Sequence, residues 1–336
     1  MHNIELLCTS VHYYPRKKWK ISFRLPYIVS SRINKDLIDN LCKDSYPVLL
    51  EGIQCTWPLW KGALENRSVS IRLHNIEHLY YLKLAQHERN FFKYIFFKRE
   101  AFLLKQYTQQ LLKLNCSWLT VSMKDSRWLA NKLQHTKQEA FVPVFVPYHD
   151  VKSLLGTGNY CLYHGNLSVN ENERAAIWLL EEIFSKTPIP FIIAGLNPSK
   201  RLITAVSNVS HAKVIANPTM EEMDTLISEA HINILPSLNE TGVKLKVLHA
   251  LYMGRYCITN NAGSEGSGLT DLCIIANEPN QMKQHIITLM DTEFTNEMKD
   301  FREKTLHALY NNNKSAEILI SYLFPHDPKP GLLQSL

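Results

Sequence analysis

The chain has 336 residues, of which 45% are hydrophobic and 20% are charged, and this composition excludes a disordered or collagen-like protein. The length exceeds what one hydrophobic core usually supports, so we expect two domains. The formal net charge of +6 fits an anionic partner but is too small to indicate a nucleic-acid-binding protein.

Cysteine usage and hydropathy suggest where the protein works. The seven cysteines are scattered and none has the spacing of a zinc site, which favours free thiols in a reducing compartment. No apolar run approaches the roughly 18 residues of a membrane span. The N-terminus does not have the charged-then-apolar form of a signal peptide. We therefore expect a cytoplasmic protein, with the inner face of the membrane as a possible location.

The first half of the chain predicts a sheet interrupted by a long helical stretch. Strand-like runs cover residues 5–13, 47–50, 68–73, 118–121 and 140–146. The helical stretch runs from about residue 77 to 114 and is compatible with one bent helix or two.

Strands and helices alternate in the second half, which predicts a parallel sheet covered by helices on both faces. Predicted strands cover 160–163, 190–194, 214–216, 232–235 and 256–259, and predicted helices cover 170–184, 219–230, 243–253 and most of 279–323. Thr219 is followed three residues later by Glu222, a capping-box pattern that marks a helix start.

We expect an N-terminal domain over residues 1–150, a C-terminal domain over 151–324 and a tail over 325–336. The proline-containing stretch 143–147 and the glycine-containing loop 156–158 bracket the expected hinge. Two α/β domains joined there would form a cleft. Ligands of open parallel sheets bind beyond the carboxyl ends of the strands.

The strongest local pattern lies in residues 234–251, where a buried strand, a polar turn with Gly242 and a helix from Val243 follow one another. The first amides of a helix lack internal partners and suit a phosphate. Lys244 is unfavourable in a first helical turn unless an anion binds there. An ordinary strand-to-helix loop with solvated lysines is equally compatible with the pattern.

This stretch, continued to residue 259, resembles the sugar-nucleotide signature of GT-B glycosyltransferases, specifically the retaining GT4 group (glycosyl transferases group 1). The signature commonly reads P-S-x-x-E-G-x-x-x-x-x-x-E-A-x-x-x-G. The pieces His-Gly-Asn at 164–166, Ala-Gly at 194–195 and Asn-Pro-Thr at 217–219 precede it in the expected order. The resemblance covers about residues 157–290, and reaches the first half only through 51–52 and 74–78.

The resemblance implies two Rossmann-like, doubly wound domains facing across a cleft, with a UDP- or GDP-sugar as donor, no cofactor and no metal. On the donor side it places Gly165, Asn166, Gly195, Lys200, Asn217, Pro218, Thr241, Gly242, Val243, Lys246 and His249. It also implies catalytic roles for Lys244, beside the departing diphosphate, and for Glu240, on sugar hydroxyls.

The chain departs from the family signature at its carboxylates. His249 stands where the second glutamate usually binds the ribose. The first carboxylate is either Glu240, displaced by one residue, or is replaced by Thr241. The chain is therefore expected to be a divergent member with rebuilt donor contacts.

The basic side chains that grip the diphosphate in the family are not clearly matched either. Asn166 takes one of their positions, and Lys200 and Arg201 lie near the other. Lys244 and Lys246 are placed to supply the missing charge. The family's first strand–loop–helix unit also has no counterpart before residue 5, so the N-terminal domain is expected to lack it, either naturally or by truncation.

In the first half, His74 follows a predicted strand and is the candidate catalytic residue on the acceptor side, with Glu51 and His78. His74 and His78 have the spacing of one helix face, but a metal site would need a third ligand that the sequence does not offer. The alternatives are that His74 caps a helix, His78 is exposed and Glu51 is an ordinary loop carboxylate.

The glycine-rich stretch 263–268 is not a dinucleotide-binding motif, because it follows a late strand and lacks the required glycine spacing. By resemblance it places Glu265 near the sugar end of the donor. A flexible surface loop is the alternative.

Two segments, 13–24 and 91–99, mix aromatic and basic residues. This mixture suits a peripheral membrane surface. It would also suit single-stranded nucleic acid, which the small net charge disfavours, or simply a helix with one core face and one solvated face.

The sequence thus predicts a retaining, metal-independent glycosyltransferase that moves a sugar from a nucleotide diphosphate donor to a glycan or lipid-linked acceptor. The alternative is a catalytically silent relative that serves as a binding or scaffold subunit of a glycan-assembly complex.

Overall fold

The structure, a computed structural model, describes residues 5–86, 88–133 and 139–325. The chain divides into two compact units. Unit 1 comprises Met1–Thr120, Ser126–Phe141 and Glu317–Leu336, and unit 2 comprises Val121–Asp125 and Val142–Ala316. The sequence predicts a single division at residue 150. It does not predict that Val121–Asp125 belongs to unit 2 or that Glu317–Leu336 belongs to unit 1. The predicted tail from 325 lies, except for Pro325, outside the described residues.

Unit 1 is built on a four-stranded parallel sheet in the order β1-β2-β3-β4. Its strands are β1 (Val48–Glu51), β2 (Val69–Leu73), β3 (Ser117–Thr120) and β4 (Glu139–Phe141). The helices of this part of the chain are α1 (Tyr27–Ser30), α2 (Lys35–Leu41), α3 (Trp57–Trp60), α4 (Glu77–Gln86), α5 (Phe91–Leu111) and α6 (Met123–Leu133). Ile71, Leu104 and Trp118 are fully buried at the centre of its core.

The predicted long helical stretch is two helices, α4 and α5. Asn90 caps the second, because its side chain accepts a hydrogen bond from the Lys93 amide at 3.1 Å. The strand predicted at 5–13 is wrong: this segment forms turns and loop, and Leu6 and Leu7 are more than four-fifths exposed. A β-strand forms only where a neighbouring strand accepts and donates its backbone hydrogen bonds, and an apolar run alone does not provide one.

Unit 2 contains a six-stranded parallel sheet in the order β10-β9-β8-β5-β6-β7. Its strands are β5 (Cys161–Asn166), β6 (Phe191–Leu196), β7 (Ala212–Ala216), β8 (Ile232–Ile234), β9 (Tyr256–Thr259) and β10 (Ile274–Ile275). Its helices are α7 (Asn170–Glu182), α8 (Lys200–Ser207), α9 (Met220–Glu229), α10 (Leu245–Met253), α11 (Asn261–Ser264), α12 (Pro279–Met290), α13 (Asn296–Leu309) and α14 (Asn312–Leu323), the last of which ends in unit 1.

The predicted capping box is confirmed. The Thr219 amide donates to the Glu222 carboxylate at 2.7 Å, and the Glu222 amide donates to the Thr219 hydroxyl at 3.2 Å. The predicted α/β class with two parallel sheets is also confirmed. Because both faces of the unit 2 sheet are covered by helices, strands β5, β6, β8 and β9 are almost wholly buried.

All seven cysteines lie in the described part of the chain, and none is paired in a disulfide. Within residues 5–325, excluding the two short undescribed gaps, no helix has the length and apolar character needed to cross a bilayer.

Candidate functional site

The sheet order of unit 2 places a crevice where β5 and β8 are neighbours. From β5 the chain builds outwards through β6 and β7, and then crosses to β8 on the other side of β5. The helices after β5 and β8 leave this point in opposite directions, so the carboxyl ends of the two strands open a ligand-binding crevice. A cavity of ≈390 Å³ lies there.

The cavity brings together six residues that the sequence places on the donor side. They are Gly165, Asn166, Gly195, Pro218, Lys246 and His249. The other lining includes Tyr148, His164 and Met223, which the sequence did not single out as site residues. Lys200, Asn217, Thr241, Gly242 and Val243 do not line it.

Gly195 is required by the close approach of two strand ends. A Cβ atom built on Gly195 would lie 1.8 Å from the Gly165 carbonyl oxygen, a distance that no side chain tolerates. Asn217 has a structural part in the same corner. Its amide donates to the Gly195 carbonyl at 2.9 Å, and its side-chain oxygen accepts from the Asn197 amide at 2.7 Å. Both asparagines adopt left-handed conformations, with φ values of 50° and 53°.

Lys246 is a largely buried cation in the cavity wall. Its ammonium donates to the Tyr163 hydroxyl and to the Asn172 side-chain oxygen, each at 3.1 Å. Among the described residues, no carboxylate lies within ion-pair distance of this ammonium. Burial therefore lowers the pKa of Lys246 to about 8, although the more distant Glu171 favours the charged form. A buried cation without a partner acid is suited to a bound anion.

The N-terminus of α10 also favours a bound anion, and this helix begins two residues later than predicted. The helix begins at Leu245 rather than Val243, because the Thr241 amide and hydroxyl bind the Asn239 side chain, both at 2.9 Å. Gly242 then turns with a φ of 67°. The Thr241 amide is thus already hydrogen-bonded. The amides at the N-terminus of α10 are those of Leu245 and Lys246, and the positive end of the helix dipole lies there.

Lys244 precedes the helix instead of lying in its first turn. Its ammonium donates to the Thr241 carbonyl at 2.6 Å, and burial lowers its pKa while the acids Glu171 and Asp125 counteract this. Asp125, in the short segment that joins unit 2, is buried, and burial raises its pKa to about 6. Nearby, Lys124 pairs with Glu265 at 2.9 Å and lies 4.0 Å from Glu240.

His249 is held by a carboxylate that the sequence analysis missed. Its Nε2 lies 2.6 Å from Asp224 Oδ1, and its ring stacks on Tyr148 with centroids 5.2 Å apart. Burial lowers the pKa of His249, and Asp224 partly offsets this. The capping box predicts the helix that carries Asp224, but no spacing rule relates Asp224 to His249, which is 25 residues away in another helix.

His164, the last buried side chain of β5, also lines the cavity. Its ring meets that of His249 edge-on at 5.8 Å, and its Nε2 has no hydrogen-bond partner among the described residues. Burial holds the pKa of His164 well below its usual value, so the ring is neutral.

In unit 1, the candidates Glu51 and His74 meet at the carboxyl ends of β1 and β2. Glu51 Oε2 lies 2.7 Å from His74 Nε2, and Arg72 lies 3.4 Å from the other oxygen. Although burial would raise the pKa of Glu51, His74 and Arg72 hold it below its usual value. Glu51 is thus an organised carboxylate, and His74 does not cap a helix.

His78 is not beside them. It is buried in α4 against the Trp128 ring, with centroids 5.6 Å apart, and burial lowers its pKa to about 4. The helix begins at Glu77, after His74, so the two histidines do not share a helix face. The structure therefore corrects the placement of His78 on an accessible acceptor side.

One group of potential metal ligands occurs among the described residues. Side chains of Asp150, Glu303 and His307 converge within 4.8 Å, away from the cavity lining. His307 Nε2 lies 2.9 Å from the His149 carbonyl oxygen, and Asp150 is exposed.

Residues 158–292, which contain the cavity's strand ends and α10, match the model of the family described as glycosyl transferases group 1. The chain carries a glycosyltransferase domain. The domain covers most of unit 2 but less than half of the whole chain.

Over the longer chain, an uncharacterized 44.6 kDa protein in the cps region of Klebsiella pneumoniae is 26% identical over 309 residues, which are 84% of this chain and 76% of the relative. Sucrose-phosphate synthase from Thermosynechococcus elongatus is similar in structure, with a TM-score of 0.67, 15% identity, and coverage of 94% of this chain and 81% of the synthase.

A crystal structure of an S. aureus TarM variant, in complex with fondaparinux, α-GlcNAc-glycerol and UDP, is also similar. Its TM-score is 0.61 at 14% identity, with 86% of this chain covered. This chain spans only 57% of that TarM chain. The glycosyltransferase domain and these structural neighbours together confirm the predicted GT-B fold class with two Rossmann-like, parallel-sheet domains.

Proposed function

We propose that the protein transfers a sugar, with retention and without a metal, from a nucleotide diphosphate sugar to a glycan or lipid-linked acceptor. The observation that carries the proposal is the buried ammonium of Lys246, which has no carboxylate at ion-pair distance among the described residues and lies beside the N-terminus of α10 in a cavity of the glycosyltransferase domain. UDP bound to TarM supports a nucleotide donor, and the cps region of the relative supports polysaccharide synthesis.

The diphosphate would bind Lys246 and the amides of Leu245 and Lys246. A charge-assisted hydrogen bond is about twice as strong as a neutral one, and it is stronger still where water is excluded. The interaction grows as the donor's glycosidic bond breaks and negative charge collects on the departing phosphate. Lys246 would therefore stabilise the transition state more than the bound donor.

The ribose would bind His249 and Asp224, which together replace the family's second glutamate. If His249 donates from Nε2 to Asp224 Oδ1, its Nδ1 is an acceptor and Asp224 Oδ2 is a second one. Each of these acceptors can take a hydrogen bond from one ribose hydroxyl.

The sugar end of the donor would lie at Glu240 and Glu265, whose carboxylates face Lys124. Lys244 would support this loop through the Thr241 carbonyl. On unit 1, the ionised Glu51 with His74 would accept hydrogen bonds from acceptor hydroxyls.

In the transfer itself, an acceptor oxygen forms a bond to the anomeric carbon as the bond from that carbon to the diphosphate oxygen breaks. The hydroxyl proton passes to the departing phosphate. The protein's contribution is then positioning and charge stabilisation, with no covalent enzyme nucleophile.

The test is a screen of UDP- and GDP-sugars with the purified protein, in which donor hydrolysis or transfer is measured in the presence of a chelator. We expect one donor to turn over and its nucleotide diphosphate to inhibit. Binding of a nucleotide without turnover, with every acceptor tried, would favour the scaffold subunit. The absence of both binding and turnover would contradict the donor site.

Asp224 offers a test of the ribose contact. In Asp224→Ala we expect the donor KM to rise about tenfold, the effect of roughly 1.4 kcal/mol of lost binding, with kcat changed less than threefold. Glu221→Gln, on the exposed side of the same helix, should change neither constant. An unchanged donor KM in Asp224→Ala would contradict the contact.

A further inference from the structure

Unit 1 carries a surface on which large apolar side chains are exposed among cations. We call residues 16–24 together with 91–99 the aromatic–basic surface. In its first segment, Trp19 is 95% and Phe23 is 90% exposed, and in its second, Phe92 is 81% exposed. Ile21, Phe91 and Ile95 are also exposed. Side chains of this kind are normally turned inward, so this cluster is not explained by the core of unit 1.

The two segments form one surface because they are tied together. The Arg99 guanidinium lies 5.9 Å from the Phe23 ring centroid and donates to the Ser22 carbonyl. The Tyr27 amide donates to the buried Glu100 carboxylate at 2.6 Å, and the Tyr27 ring meets Phe96 edge-on at 6.2 Å. The loop before α1 is therefore held against the first turns of α5.

The charge of this surface is of one sign. Residues 6–35 contain seven lysines and arginines and no acid, and residues 89–99 contain four and no acid. The whole chain has an excess of only six, so its remainder is net negative. Glu100, which directly follows the second segment, is fully buried and paired with Arg99 at 2.9 Å, and Glu88, which precedes it, accepts a hydrogen bond from the Asn90 amide at 2.8 Å. The surface segments themselves therefore carry positive charge only, and among the described residues the ion pair at this surface is that of Arg99 with Glu100.

We propose that this surface docks unit 1 onto an anionic lipid bilayer, with the rings and aliphatic side chains entering the interface and the lysines facing lipid headgroups. Tryptophan and phenylalanine partition into the bilayer interface, and Lys and Arg are attracted by anionic lipid. Single-stranded nucleic acid would be recognised by stacked rings, but the aliphatic Ile21 and Ile95 among the rings have no use there and favour lipid.

The experiment is co-sedimentation of the full protein with vesicles, without any sugar donor, so its result does not depend on the proposed transfer. Vesicles of phosphatidylcholine with phosphatidylglycerol should bind the protein at least tenfold more tightly than phosphatidylcholine alone. Raising the salt to about 0.5 M should weaken the binding, since it screens the charges. No preference for the anionic vesicles would overturn the proposal.

Two sets of variants test the residues. Trp19→Ser/Phe23→Ser/Phe92→Ser and Lys18→Gln/Lys20→Gln/Lys93→Gln should each weaken binding at least tenfold, with an unchanged melting temperature because all six side chains are exposed. Tyr46→Ser, an exposed ring elsewhere in unit 1, is the matched control and should bind normally. Unweakened binding by either triple variant would overturn the proposal, as would tighter binding to a single-stranded oligonucleotide than to the anionic vesicles.

Discussion

Replacement of Lys246 by methionine should lower kcat/KM for the nucleotide-sugar donor at least a hundredfold. The variant keeps the length and much of the shape of the side chain but removes the one buried cation that lines the cavity with no acid at ion-pair distance among the described residues. A hundredfold loss corresponds to about 2.7 kcal/mol of transition-state stabilisation, which is in the range of a single charge-assisted contact. Steady-state kinetics with the donor found in the screen measures it.

The same variant should not destabilise the protein, which separates loss of function from loss of fold. The folded-state pKa of Lys246, about 8, lies below the unfolded value, so its charged form opposes folding below pH 8. Wild-type stability should thus rise as the pH is raised from about 8 towards 10, and Lys246→Met should lose this rise and have an equal or higher melting temperature at pH 7.

Donor binding should follow the opposite trend with pH. Only the protonated ammonium attracts the diphosphate, so wild-type donor affinity should fall above pH about 8, and the affinity of Lys246→Met should not. Lys304→Met, in the exposed face of α13, is the control and should retain wild-type kinetics. Near-wild-type turnover by Lys246→Met would contradict the assigned role.

Gly195→Ala should destabilise unit 2 by about 3 kcal/mol or more and abolish nucleotide binding. The added methyl group would lie 1.8 Å from the Gly165 carbonyl oxygen, so the ends of β5 and β6 must separate at the floor of the cavity. Overpacking usually costs about 1–3 kcal/mol, and here the obstacle is backbone that has no rotamer to change. Urea unfolding and nucleotide titration measure the two effects.

Gly156→Ala is the matched control. Its Cβ would meet nothing within 4 Å, and only its φ of 74° opposes the substitution. That conformation costs an alanine about 1–2 kcal/mol. If Gly195→Ala were no more destabilising than Gly156→Ala and still bound nucleotide, the tight approach of the two strands would not be needed for the site.

Local patterns predicted those features that depend on neighbours in the sequence. The capping box at Thr219 is made within four residues, and the five predicted strands of unit 2 are short apolar runs between turn residues, so both were found. The strand predicted at 5–13 failed because a strand needs a partner, and pairing is not visible in the strand's own residues. Helix α10 begins at Leu245 because the Asn239 side chain, six positions earlier, accepts a hydrogen bond from the Thr241 amide.

The candidate site likewise combines residues that the local sequence predicted with residues that only the fold revealed. The glycines and lysines around β5, β6 and α10 could be found because they follow strands, and parallel strands end at one edge of a sheet. Tyr148 and His164 line the cavity and Asp224 holds His249, and only folding brings these three residues to His249 from distant points of the chain.

The sequence by itself determined the alternation of strands and helices, hence the parallel sheets, and the lysine-rich segment that follows β8. Tertiary structure alone decided which lysine lacks an acidic partner, which histidine is buried and which carboxylate reaches His249. Charge and burial at a given atom depend on everything packed around it, and most of those neighbours are far away along the chain.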